Sequence, residues 1–87
     1  MTINPNFVLR ELAGEWLLVS IEEGEEIKRL LYLNEIGKDI YLHLKDGLEG
    51  AALLDALYQE YDADPQILKA DVEAFLHTLR DYRILQD

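Results

Sequence analysis

Apolar positions change rhythm once along this chain, inside the run RLLYLNEIGKDIYLHL from Arg29 to Leu44. Before Asn34 they are consecutive, as in a short strand; after it they recur at helical spacing, at Ile36, Ile40, Tyr41 and Leu44. Upstream, FVLREL (Phe7 to Leu12) and WLLVSI (Trp16 to Ile21) read as two strands around AGE, where Gly14 suits a tight hairpin. Their alternation is imperfect. A third strand, about Lys28 to Leu33, follows the acidic turn EEGEE, whose Gly24 can take a positive φ. Three short strands with short connections predict an antiparallel meander, one face of which helices can cover.

Everything after Asn34 is helical in pattern. Asn34 is a good N-cap, and Glu35 complements the positive end of the helix dipole. This helix should run to about Lys45, with Asp46–Gly47 ending it. A second covers roughly Glu49 to Tyr61, with Leu53, Leu57 and Tyr61 in line and Leu54 and Tyr58 beside them. The third opens on Asp64 as cap and Pro65 at its first position. Its stripe is Leu68, Val72, Phe75, Leu76 and Leu79, reaching Tyr82. The prediction is an α+β, winged-helix-like fold: a three-stranded antiparallel sheet followed by three helices (β-β-β-α-α-α), one domain over residues 1–87. The strand can enter the first helix directly because Asn34 caps it and both apolar sides meet in one core.

Composition narrows the function. Eighty-seven residues, 49% of them apolar, can just sustain a single core. The absence of cysteine removes disulfides, thiolate metal sites and cysteine nucleophiles, and fits a cytoplasmic protein. MTINPNF lacks the features of a signal peptide, and no run reaches transmembrane length. Eighteen acidic residues against eight basic ones give a net charge of −10, which repels phosphate backbones and anionic membranes.

No catalytic constellation emerges. Ser20, the single serine, lacks a glycine-flanked nucleophile turn. His43 and His77 lie on different predicted helices, and neither is expected to have a carboxylate or second histidine at the spacing of a helical metal motif. Glu22, Glu23, Glu25 and Glu26 lack the alternating oxygen ligands of a calcium loop. Gly47 and Gly50 lack the Lys–Ser/Thr of a phosphate loop. The expectation is a protein that is not an enzyme and uses no cofactor or metal. Trp16, Tyr32 and Tyr41 could stack on bases but sit at core-like spacing. The third helix sets Lys69, Arg80 and Arg83 against Asp71, Glu73 and Asp81, a weak pattern for DNA.

A binding surface remains. If the run ending at Leu33 is a sheet edge, only Lys28 and Arg29 blunt it, and it could accept an extended peptide by strand addition. If the strand is central or covered, it is core alone. The pattern leaves both open.

The runs YLNEIGKDIYLHLKDG, LLDALYQEYDADP and ADVEAFLHTLRDYRIL resemble the PqqD-like family, whose domain is also called the RiPP recognition element. The resemblance is strongest from Tyr32 to Leu85. It is most specific at Leu33–Asn34–Glu35, at Tyr61–Asp62 with Asp64–Pro65, and at Asp71–Val72 followed by Phe75–Leu76 and Leu79. The sequence departs at Tyr41, where the family often has Trp, at Glu49–Gly50, where Thr or Ser often caps, and at Arg83, where Gly is frequent. These departures leave the implied fold intact. The resemblance implies a non-catalytic protein that binds the leader of a ribosomally made precursor peptide. Such a protein presents the leader to a maturation enzyme, such as a radical SAM enzyme or a lasso-type leader peptidase. It implies a leader added antiparallel between the third strand and the third helix. On this chain the strand side would be Lys28, Arg29, Leu30, Leu31, Tyr32 and Leu33, and the helix side Asp71, Val72, Phe75 and Leu79. Backbone groups of Leu31 and Leu33, or those of Leu30 and Tyr32, would pair with the peptide. Phe75 and Leu79 would accept an apolar side chain, and Asp71 a donor or cation. Two alternatives share the architecture: a small winged-helix DNA-binding regulator, and a homodimer paired through the same edge.

Overall fold

The computed structural model describes residues 2–21 and 27–86. The elements in order are β1 (Thr2–Ile3), β2 (Phe7–Leu12), β3 (Glu15–Ile21), β4 (Ile27–Leu33), α1 (Glu35–Lys45), α2 (Gly50–Glu60), α3 (Pro65–Asp81) and β5 (Leu85–Gln86). The α+β class, the antiparallel meander and the three helices agree with the sequence pattern. A second, two-stranded sheet does not appear in that pattern: β1 and β5 pair antiparallel, Thr2 opposite Gln86 and Ile3 opposite Leu85. The strand count therefore exceeds the expected three. Strands of two residues carry no periodicity, so only the fold reveals them. The acidic turn at Glu22, Glu23, Gly24, Glu25 and Glu26 lies outside the described residues.

In the larger sheet β3 is central, flanked by β2 and β4. Leu12 opposite Glu15 closes the first hairpin through Ala13 (φ 52) and Gly14 (φ 83). Both turn residues have positive φ, matching the twist of the paired strands. The imperfect alternation of WLLVSI follows from β3's central place. Leu17, Leu18 and Val19 are 4%, 0% and 6% exposed. Leu18 faces the helices and joins the main core; Leu17 and Val19 lie outside that cluster. Val19 is flanked by Val8 and Leu30, and Leu17 by Arg10 and Tyr32, on the opposite face.

The main core gathers Phe7, Leu18 and Leu33 from the sheet, with Ile40, Tyr41 and Leu44 from α1. Leu53 and Leu57 of α2, and Leu68, Val72 and Leu79 of α3, complete its helical side. Burying each such side chain stabilises by about 1.5–3 kcal/mol. The strand–helix joint is as expected: Asn34 is extended, and its side chain accepts the Gly37 N–H at 2.8 Å. Asp64 caps α3 by accepting from Gln66 N at 2.8 Å, with Pro65 in the first turn. Tyr61, just past α2, donates to Asp39 of α1, and His43 Nε2 lies 2.5 Å from Glu60 Oε1. These contacts tie α2 to α1. At the far end of α3, Arg83 N–H donates to Arg80 O and Ile84 N–H to Leu79 O, each at 2.9 Å. That pair of bonds is a Schellman turn, with Arg83 in the left-handed position at φ 60.

Candidate functional site

Among the described residues β4 pairs with β3 alone, so it is an edge. The question left open by the pattern is settled in favour of an edge strand. A register shift between Val19–Ile21 and Leu30–Ile27 places a bulge near its start. Beyond the bulge, the Arg29 N–H donates to Ser20 Oγ at 2.9 Å, so this residue's amide points at β3. Successive residues in a strand turn their amides to opposite sides. Leu31 and Leu33 therefore face β3, and Leu30 and Tyr32 offer N–H and C=O to the open side. Their side chains alternate too: Leu30 and Tyr32 are 40% and 59% exposed, while Leu33 is in the core with Leu31 packed against it. Of Lys28 only the backbone is described; Arg29 is exposed.

The helix-side residues separate by depth. Val72 and Leu79, at 3% and 0% exposure, belong to the core. Asp71, exposed, and Phe75, half-buried, line a groove of about 370 Å³ with Ala74 and Thr78 of α3 and Asn34, Ile36, Gly37 and Ile40. The groove thus starts where β4 becomes α1. Gly37 sets its width: a Cβ there would lie 3.2 Å from the Phe75 ring and 3.0 Å from Asn34 Oδ1. Ala74 and Thr78 were absent from the sequence-based set, although helical spacing from Asp71 and Phe75 points to both. Gly37 carried no comparable signal, since its role is the approach of two helices distant in sequence.

The residues just past α3 reach the other end of β4. Arg29 shares a pocket of about 220 Å³ with Asn4, Asn6, Phe7, Ser20, Tyr82 and Arg83. So α3 runs opposite in sense to β4, with Asp71 near the strand's end and Arg83 near its beginning.

The aromatic trio does not form a platform. Tyr41 is buried, Trp16 packs on the core beneath Lys38 (Nζ 5.0 Å from the ring centroid), and only Tyr32 is exposed. His77 does have a carboxylate one turn away, Asp81 at 3.8 Å, but both are exposed. No three potential metal ligands converge among the described residues. Among the same residues, no helix is long and apolar enough to cross a membrane.

The family model described as coenzyme PQQ synthesis protein D (PqqD) matches residues 15–85. The chain belongs to the PqqD family. Two solved structures share the fold. One, described as TbiB1 in complex with the TbiA(beta) leader peptide, has a TM-score of 0.80 and 24% identity. The alignment covers 99% of this chain and 95% of that one. The other, described as lasso peptide synthetase B1 complexed with the leader peptide, has a TM-score of 0.73 and 20% identity. There the coverage is 93% and 91%. A comparison with curated proteins finds no match. At these identities the two structures establish the fold of this PqqD-family chain, and its site rests on its own residues.

Proposed function

We propose that this PqqD-family chain is a non-catalytic adaptor that binds the leader of a ribosomally made precursor peptide and presents it to a maturation enzyme. The observation that carries this reading is the open edge of β4, with outward backbone groups at Leu30 and Tyr32, in a fold that also holds a groove lined by Asp71 and Phe75 and beginning at Asn34, the residue after β4. Both structures that share its fold are described as complexes with a leader peptide. The leader adds antiparallel to β4 over Lys28, Arg29, Leu30, Leu31, Tyr32 and Leu33. Leu30 and Tyr32 exchange the backbone hydrogen bonds; Leu31 and Leu33 keep theirs with β3. On the helix side Phe75 receives an apolar side chain and Asp71 a donor or a cation, while Val72 and Leu79 support the groove from below.

The magnitudes are sufficient. A well-buried apolar side chain contributes about 1.5–3 kcal/mol, so two or three reach the roughly −8 kcal/mol of micromolar binding after the cost of ordering the peptide. The maturation enzyme is of the radical SAM or leader-peptidase kind, and the net charge of −10 fits a basic docking patch on it. The same charge disfavours DNA, whose phosphates it repels.

Ala74→Trp tests the groove. Ala74 is exposed, so an indole there fills the space beside Phe75 without entering the core. With fluorescein-labelled leader segments of precursor peptides, anisotropy is expected to show binding to the wild type and at least tenfold weaker binding to the variant, with unchanged melting. Equal binding by both would exclude the groove.

A further inference from the structure

Near the beginning of β4, at the end opposite Asp71, two arginines line one pocket in a chain whose net charge is −10. Arg29 at the start of β4 and Arg83 just past α3 line one pocket with Tyr82, Asn4 and Ser20. Two like charges facing one concavity repel each other, and an anion between them turns that repulsion into attraction.

Arg83 carries a second cost. It occupies the left-handed position of the Schellman turn, at φ 60, where glycine is the ordinary residue because a Cβ is strained there. Strain retained where glycine would relieve it points to a use for the side chain. The surrounding hydrogen bonds hold both backbones in place: Asn4 Nδ2 donates to Arg83 O at 3.0 Å, and Arg29 N–H to Ser20 Oγ at 2.9 Å. A planar guanidinium pairs with a carboxylate through two parallel N–H···O bonds, a geometry that lysine does not supply.

Direction follows from the fold. A strand added antiparallel to β4 enters beside Leu33 and Asp71 and leaves beside Arg29. Resting on the peptide-binding reading, we propose that the Arg29–Arg83 pocket is a carboxylate site. It takes an Asp or Glu side chain lying C-terminal to the segment of the peptide that pairs with β4. Asp71 then faces the upstream part of the peptide and the two arginines the downstream part, so charge sets its direction.

The test is selection of a displayed random-peptide library on four proteins: the wild type, Arg29→Gln/Arg83→Gln, Arg29→Glu/Arg83→Glu, and Arg83→Gly. Circular dichroism and amide spectra establish that each is folded. All four are expected to select a common apolar motif. Asp or Glu should be enriched just C-terminal to it on the wild type and not on the Gln double variant, and Lys or Arg should replace them on the doubly reversed protein. Individual acidic peptides should bind the Gln double variant about tenfold more weakly, a loss of about 1.4 kcal/mol. Arg83→Gly should melt higher than the wild type and yet weaken the acidic preference, a combination that a purely structural arginine does not give. A common motif with no acidic enrichment, with enrichment on its N-terminal side, or with a preference unchanged in the Gln variant overturns the carboxylate site and leaves the adaptor reading intact. If none of the proteins selects a motif, both fall.

Discussion

Gly37 lies where three requirements meet. Its N–H donates to the Asn34 side chain, its bare Cα lets Phe75 approach, and it lines the groove. Alanine would bring about 1 kcal/mol of helix propensity, but its methyl must displace both the capping oxygen and the ring. Because crowding in a packed site costs about 1–3 kcal/mol, Gly37→Ala is expected to destabilise on balance, by roughly 1 kcal/mol in denaturant unfolding, and to narrow the groove. Tyr61 makes a pH-dependent contribution. Burial, the hydrogen bond it donates to Asp39 and the negative charges of Asp39, Glu35 and Glu60 together push its hydroxyl well above the usual tyrosine range. A raised value favours the neutral form in the fold. The stability it contributes is therefore complete below the unfolded value of about 10 and is lost as pH climbs toward the folded value. Tyr61→Phe should flatten the alkaline arm of a melting-temperature profile without abolishing it, because burial also raises Tyr41. An unchanged alkaline arm would contradict this assignment.

β4 makes the sharpest prediction among the elements, because its two sets of amides have different duties. Tyr32 turns its N–H to the open side and Leu31 turns its N–H to β3, by alternation from the Arg29–Ser20 bond. Proline is tolerated on an edge strand only where the missing N–H faced outward. Tyr32→Pro should thus stay folded and lose peptide binding by tenfold or more, whereas Leu31→Pro should unfold or melt far lower. The reverse order of stability, read by circular dichroism, would invert the register. The elements also show what the sequence made legible. The helix starts were explicit in Asn34 and in Asp64–Pro65, because caps are local chemistry. The edge status of β4 was not, because strand order depends on pairing between segments that a pattern does not connect. The β1–β5 ribbon was silent for the same reason.

At the scale of the whole molecule, 87 residues support one core, and most long apolar side chains of the helices are used in it, with Leu42, Tyr58 and Ile67 left exposed. Val72 and Leu79 illustrate the limit of a helical stripe: spacing identifies the buried face but not which members stop short of the groove. Asp71 and Phe75, at the margin of that stripe, were legible as candidates. Arg29 and Arg83 were visible individually, and only the antiparallel run of α3 past β4 brings them together. In the proposed reading the outward amides of Leu30 and Tyr32 receive an extended chain, and a homodimer paired through β4 would compete for the same groups. The most direct measurement is backbone amide NMR of the labelled protein titrated with its precursor's leader peptide. Shifts are expected to concentrate on Lys28–Leu33 and Asp71–Thr78, with the Leu30 and Tyr32 amides newly protected from solvent exchange. A folded, monomeric protein whose spectrum is unchanged by that peptide, or whose shifts gather away from β4 and α3, would contradict the peptide-binding reading.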